Sequence, residues 1–305
     1  MRKAFIKTLE KLAEKDKDIY LLTGDLGFSV FENFAKKFPE RFINCGLIEQ
    51  TMMGIASGLA LEGKKPYVYS IVPFATMRCF EQIRNDVCYP NLNIKIIGIG
   101  TGFSYGPHGF THYGIEDISI LSSLPNLVLL SPANSLETKE LVLKSYENKK
   151  PTYIRLDKSG SKTKIEKKEI FISKPIVYKN GKDIALITAG TCLEDAISVA
   201  NLAKKNGLSL KVINMHTLKP VNEKFLLKQI ENIKTIITLE EHSLINGLGS
   251  LVNRILIKNK IKNKNVQNLG IKDNFENITG SRSFLKDYHK IDKNNVYKII
   301  LNFLQ

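Results

Sequence analysis

The chain has 305 residues, 43% of them hydrophobic and 25% charged, a balance that excludes a disordered or fibrous protein. Its formal charge of +15 is uneven, with 20 basic against 17 acidic residues over 1–160 and 25 against 13 over 161–305. The excess is lysine scattered among Asn and Ile, as at Lys258-Asn259-Lys260-Ile261-Lys262, without Arg–aromatic interleaving, so it reads as solvated surface and argues against nucleic-acid binding.

A helical pattern over Arg2–Glu14 opens the chain and is too acidic for a signal peptide. No apolar run approaches the ~18 residues of a membrane span, so a cytoplasmic protein is expected. β-rich runs follow at Ile19–Thr23, Tyr67–Val72, Ile94–Ile99, Leu127–Ser131 and Thr152–Leu156. Helix-like stretches lie between them at Leu47–Leu61, Phe74–Cys88 and Ser135–Tyr146. That alternation predicts a parallel sheet covered on both faces. Residues 157–182 read as a polar, lysine-rich connector with an edge-like strand around Ile170–Tyr178. A second alternating unit runs through strands Ile184–Thr188, Ser209–Asn214 and Thr235–Leu239 and helices Leu193–Lys205, Asn222–Glu231 and Leu244–Ile257. The fold class is therefore α/β with two doubly wound domains, assigned to residues 1–165 and 166–305. The four cysteines (Cys45, Cys79, Cys88, Cys192) have neither CxxC spacing nor paired histidines, so no metal site is expected.

The most informative residue is Glu49, at the head of an apolar stretch with small residues Gly54, Ala56, Ser57 and Gly58. A charged carboxylate there needs a partner, because desolvating it alone is costly. It either meets the helix dipole or holds a ring nitrogen of a cofactor. The run Gly98-Ile99-Gly100-Thr101-Gly102 has a superficial likeness to a dinucleotide fingerprint, but Pro107-His108-Gly109-Phe110-Thr111-His112 follows where a helix should start, so a nicotinamide cofactor is not expected.

Taken in order, Gly46–Gln50, Gly-Phe-Thr-His at 109–112, Ser-Leu-Pro-Asn at 123–126, Thr-Leu-Lys-Pro at 217–220 and Glu-Glu-His-Ser at 240–243 resemble the transketolase family. The similarity runs over essentially the whole chain and is to the pyrimidine-binding plus C-terminal domains of these thiamine-diphosphate enzymes. The family's Gly-Asp-Gly diphosphate and metal segment is missing; the only Gly-Asp, Gly24-Asp25, lacks the third glycine. The resemblance thus implies half an active site. The other half, with Mg2+ and the diphosphate, would come from a partner subunit carrying Gly-Asp-Gly, in an α2β2 assembly.

By the same resemblance, Glu49 is the acid that shares a proton with the pyrimidine nitrogen. Phe74 and Phe80 are the candidate stacking residues, with Phe74 favoured because Phe80 reads equally well as core. Arg78 matches an arginine of deoxyxylulose-phosphate-synthase-like relatives, and Asp25 an aspartate near the cofactor. His112 matches the histidine facing substrate hydroxyls, while His108 stands where sugar-phosphate enzymes often have an aspartate. Arg2, Ser29 and Arg155 resemble the sugar-phosphate grip, which suits arginine's two-pronged donation. Gly100 replaces a phosphate-touching histidine, which leaves open whether the sugar is phosphorylated. The implied function is two-carbon ketol transfer from a ketose to an aldose. The alternatives are the β subunit of a 2-oxo-acid dehydrogenase E1 component, a deoxyxylulose-phosphate-synthase-like enzyme, and a non-catalytic subunit, which the presence of both Glu49 and His112 disfavours.

Overall fold

The computed structural model describes residues 1–161, 169–275 and 277–302, so residues 162–168 of the expected connector lie outside them. Strands β1 (Ile19–Thr23), β2 (Phe42–Asn44), β3 (Lys65–Ile71), β4 (Lys95–Ile99), β5 (Val128–Leu130) and β6 (Thr152–Leu156) build a parallel sheet. Strands β7 (Ile176–Lys179), β8 (Ile184–Thr188) and β9 (Leu210–Asn214) start a second one. Strand β10 (Thr217–Lys219) then crosses back and pairs antiparallel with β5, before β11 (Thr235–Ser243) and β12 (Asn265–Ile271) complete the second sheet. The strand orders are β10-β5-β6-β4-β3-β1-β2 and β12-β11-β8-β9-β7, with β7 antiparallel to its neighbour. The expected α/β class with two parallel-dominated sheets is what forms.

Side chains alternate across each strand, so an apolar strand buries both faces. In the first sheet Leu21, Tyr67, Ile97, Val128 and Ile154 pack with Phe5 and Leu9 of the helix Arg2–Ala13. On the other face Leu22, Val68, Ile96, Leu129 and Tyr153 meet Met52 and Met53 of the helix Glu49–Leu61. That second layer is continuous with Ile187, Ile213 and Ile236 of the second sheet. The far face of the second sheet, through Leu186, Val212 and Ile237, packs on Leu193, Val199 and Val296.

Two expectations shift. The stretch Phe74–Cys88 is broken into helical turns at Val72–Thr76 and Phe80–Gln82, followed by a wider π-type turn over Ile83–Cys88. The edge strand of the connector starts at Ile176, and Ile170 is buried against the first sheet's core instead. Strands β2 and β10 are three residues long, too short for any periodicity to declare them. Among the described residues no helix is long and apolar enough to cross a membrane.

Strand β11 carries the Glu240-Glu241-His242 run, and all three side chains are buried. His242 Nε2 accepts from the Ile118 amide at 3.1 Å, and Nδ1 lies 2.9 Å from the Ser243 carbonyl, the pattern of a neutral ring. Burial, only partly opposed by Asp117, lowers its pKa from 6.5 to about 4. The stability contributed by the neutral ring is complete above pH 6.5 and is lost as pH falls through about 4. Burial pushes Glu240, 3.8 Å from His242 Nδ1, up to about 7, so its own contribution rises as pH falls, opposite in sign to that of the ring, and the carboxyl remains when His242 is replaced. We therefore expect His242→Gln to lose less melting temperature than wild type between pH 7 and pH 4. Equal losses in thermal melts would show that the imidazole does not titrate in this window.

Candidate active site

Glu49 is the first residue of its helix, and its carboxylate has no exposed surface. It is nevertheless fully partnered. Ser70, near the carboxyl end of β3, donates its hydroxyl to Oε1 at 2.9 Å, and Arg78 Nη1 donates to Oε2 at 2.6 Å. Gly24, just past β1, leaves the room this needs, since a Cβ there would lie 3.2 Å from Oε1. The break after Thr76 brings Arg78 back over the carboxylate, with its own side chain 42% exposed.

From this pair a strip of rings extends along the carboxyl ends of the strands, where open parallel sheets place their ligands. The Arg78 guanidinium lies 4.4 Å from the centre of the Phe74 ring. Phe74 meets His112 edge-on with centroids 5.2 Å apart, and His112 lies 5.2 Å from His108. Tyr105 touches both histidines, at 5.5 and 6.1 Å, and Lys158 Nζ stands 3.6 Å over the Tyr105 ring.

Charge along the strip is graded. Burial, then the neighbouring His108, lowers the pKa of His112, which keeps this ring neutral at pH 7 and able to accept a proton. Burial, then Arg2, lowers that of Lys158 against the smaller opposing pull of Asp157, so two cations share the strip's far end. Burial raises the Tyr105 phenol against the opposing pull of Arg2. Two cations crowded in this way, beside neutral rings, form a place where an anion is welcome.

The other expected residues fall outside this strip. Asp25 is exposed, in the left-handed region (φ 52°), and exchanges two 3.0 Å hydrogen bonds with Asn44. Ser29 is exposed in the same loop, its amide bonded to Glu32. Phe80 packs against the hydrophobic core, the bland role considered for it. Arg155 does not join the strip. It is 6% exposed, with Nε on Asp117 at 2.8 Å and Nη2 on the Gly114 carbonyl at 2.6 Å. The reason is its place inside β6, which is covered on both faces; Lys158, past the strand's end, reaches the strip instead. The strand boundary in the sequence was the signal that could have shown this.

Residues 1–163 match the family profile described as transketolase, pyrimidine binding domain, and residues 174–296 that of transketolase, C-terminal domain. The chain belongs to the transketolase family. It is similar to an apulose-4-phosphate transketolase subunit of Phocaeicola vulgatus, at 33% identity over 100% of this chain and 97% of that protein. It is also similar to the 1-deoxy-D-xylulose-5-phosphate synthase of Halothermothrix orenii, at 31% identity over 98% of this chain but 47% of that one. A solved structure titled "Split gene transketolase, inactive beta4 tetramer" superposes with a TM-score of 0.87 at 33% identity, covering 99% of this chain and 96% of that chain. The chain is thus a transferase subunit of transketolase type, and membership implies dependence on thiamine diphosphate.

The Glu49–Arg78 pair is asymmetric, and this can be measured on the chain alone. Neutralising Glu49 frees a guanidinium that already touches water, whereas removing Arg78 strands a carboxylate that does not. We expect Arg78→Ala to cost about 1.5–3 kcal/mol, a charge-assisted hydrogen bond, and Glu49→Gln less than about 1 kcal/mol. Urea unfolding that gave the reverse order would contradict this burial pattern.

Proposed function

We infer that this chain is the subunit of a split transketolase that supplies the pyrimidine wall of the active site, within residues 1–165, while residues 166–305 form its C-terminal domain. The observation that carries the reading is a carboxylate without exposed surface, capped by Arg78, whose guanidinium leads on to a strip of Phe74, His112 and His108 at the sheet's carboxyl edge. The residues present suit thiamine diphosphate. Gly24 keeps space beside the carboxylate, and Phe74 offers an apolar face to an aminopyrimidine. Bound there, the cofactor would supply the nucleophilic carbon that two-carbon transfer requires. Glu49 would hold and share a proton with the ring nitrogen, taking it as partner in place of Arg78. Phe74 would exclude water from the ring. Neutral His112 takes and returns a proton at a substrate hydroxyl, and His108 contacts the sugar beside it. Lys158 and Arg2 fix an anionic end of the substrate.

The sequence has no Gly-Asp-Gly segment, so the reading assigns Mg2+ and the diphosphate to a partner subunit, in an α2β2 assembly. Exposed Leu47 and Ile48, 70% and 50% accessible immediately beside buried Glu49, support a protein surface closing over this edge. Phe28, 77% exposed in the Asp25–Ser29 loop, adds to the same support. The reaction is ketol transfer between a ketose and an aldose, in the cytoplasm. A deoxyxylulose-phosphate-synthase-like reaction is the second reading, favoured by Arg78 and by the similarity over nearly the whole chain to one such enzyme.

Two measurements on the chain reconstituted with its partner test this. Glu49→Gln should lower ketol transfer by roughly 10²–10⁴-fold while leaving subunit association intact; near-normal turnover would remove Glu49 from the mechanism. Lys158→Ala should raise KM for a phosphorylated sugar by about tenfold or more, the worth of one charged hydrogen bond, and leave a non-phosphorylated one unchanged. Release of CO2 from pyruvate in place of ketol transfer would favour the second reading.

A further inference from the structure

The loop that carries His108 and His112 is held from the other half of the chain. Its base is closed by paired hydrogen bonds between Gly102 and Gly114, at 2.8 and 3.0 Å. Immediately past that base, the Phe103 amide donates to Glu241 Oε1 at 2.7 Å. Gly102 permits the approach: its φ is 56°, and a Cβ would lie 2.5 Å from the Glu241 carboxyl carbon. Glu241 is in turn gripped by Arg282, from Nε at 2.9 Å and from Nη2 at 2.6 Å. Arg282 Nη1 then reaches across to Asp157 at 2.8 Å, and the loop's own Ser104 hydroxyl donates to the same Asp157 oxygen. Asp157 also accepts from the Ser159 and Gly160 amides, at 2.9 and 3.2 Å, which shapes the turn that presents Lys158.

Further along, the second half keeps hold of the loop. Phe103 stacks on His289 at 5.2 Å, and the Tyr113 hydroxyl donates to Gly106 and Ile278 carbonyls at 3.0 and 3.1 Å. Arg282 thus joins two carboxylates that belong to different parts of the site's frame. A guanidinium suits this task because its planar fork fixes several partners at once. The two carboxylates are buried, with Glu241 and Asp157 side chains 3% and 2% exposed, while the Arg282 side chain is 28% exposed.

Building on the function inferred above, we propose that Glu241 and Arg282 are positioning residues, which set the histidine loop and the Lys158 turn in register with Glu49 while touching neither cofactor nor substrate. The second half of the chain thereby has a part in substrate handling. Losing the clamp should loosen the substrate side and leave the Glu49 side as it was, because among the described residues Glu49, Ser70 and Arg78 share no hydrogen-bond partner with it.

The test combines a measurement on the whole chain alone with one on the enzyme reconstituted with its partner. Arg282→Lys keeps the charge and loses the fork. Ser104→Ala removes only the loop's own link to Asp157 and guards against a folding defect in the first variant. In both, amide exchange read by mass spectrometry should speed up by about tenfold over residues 102–114, the effect of one lost charged hydrogen bond, and stay unchanged over 49–61. In the reconstituted enzyme, kcat and KM for the sugar should worsen by about tenfold while thiamine diphosphate affinity stays within about twofold. Unchanged exchange over 102–114 in both variants overturns the clamp. So does a loosened loop with full kcat, or an activity loss that follows cofactor affinity. Absence of transfer by the wild-type pair would instead count against the transketolase reading, and the exchange measurement would still decide whether the clamp exists.

Discussion

A carboxylate with no exposed surface survives only where the surrounding chain supplies donors at the right places. At Glu49 those donors come from separate elements: the hydroxyl at the end of β3 and a guanidinium brought back by a broken helix. The space comes from a third, the glycine past β1. Moving any one of them by a residue would leave a buried charge short of a partner. The parallel register of β1 and β3, the irregular stretch from Val72 to Cys88 and the choice of glycine at position 24 therefore answer to a single demand. The ring strip follows from the same placement, since Phe74 lies in the turn that delivers Arg78.

The second half answers to a related demand. The buried charges on it and on the facing end of the first half form closed groups: Arg155 on Asp117, Arg282 on Glu241 and Asp157, and Glu240 on the amides of Leu248 and Gly249. Each is costly to assemble and more costly to leave half made. Such groups add little net stability, but they tolerate few alternative arrangements. That property suits the place where two sheets must meet at a fixed angle beside a working edge.

Much of this was legible from residue order. Strands β1, β6 and β8 fall where apolar β-branched runs end at polar residues, and Glu49 declared itself as an acid where none should be unpartnered. The ordering of Phe74, Arg78 and His112 along one strip follows from the sheet, and the sequence could only place them near strand ends. What escaped was set by long-range contact. Arg155 and Lys158 are three residues apart and both basic; only the end of β6 decides which is buried. Phe74 and Phe80 differ in the same way, by a helix break that no periodicity records. The Glu240–His242 run was recognised as a motif, yet its role at the joint depends on Arg282 and Ile118, distant in sequence.

The three residues of β10 belong by position to the second half and by hydrogen bonding to the first sheet. Lys219 reinforces the attachment by donating to the Ser122 and Leu124 carbonyls. Modules linked in this manner are not freely interchangeable. A chimaera that took its C-terminal portion from a relative would import a foreign edge for β5, so a workable splice has to carry Thr217–Lys219 together with the stretch from Ser122 to Leu130.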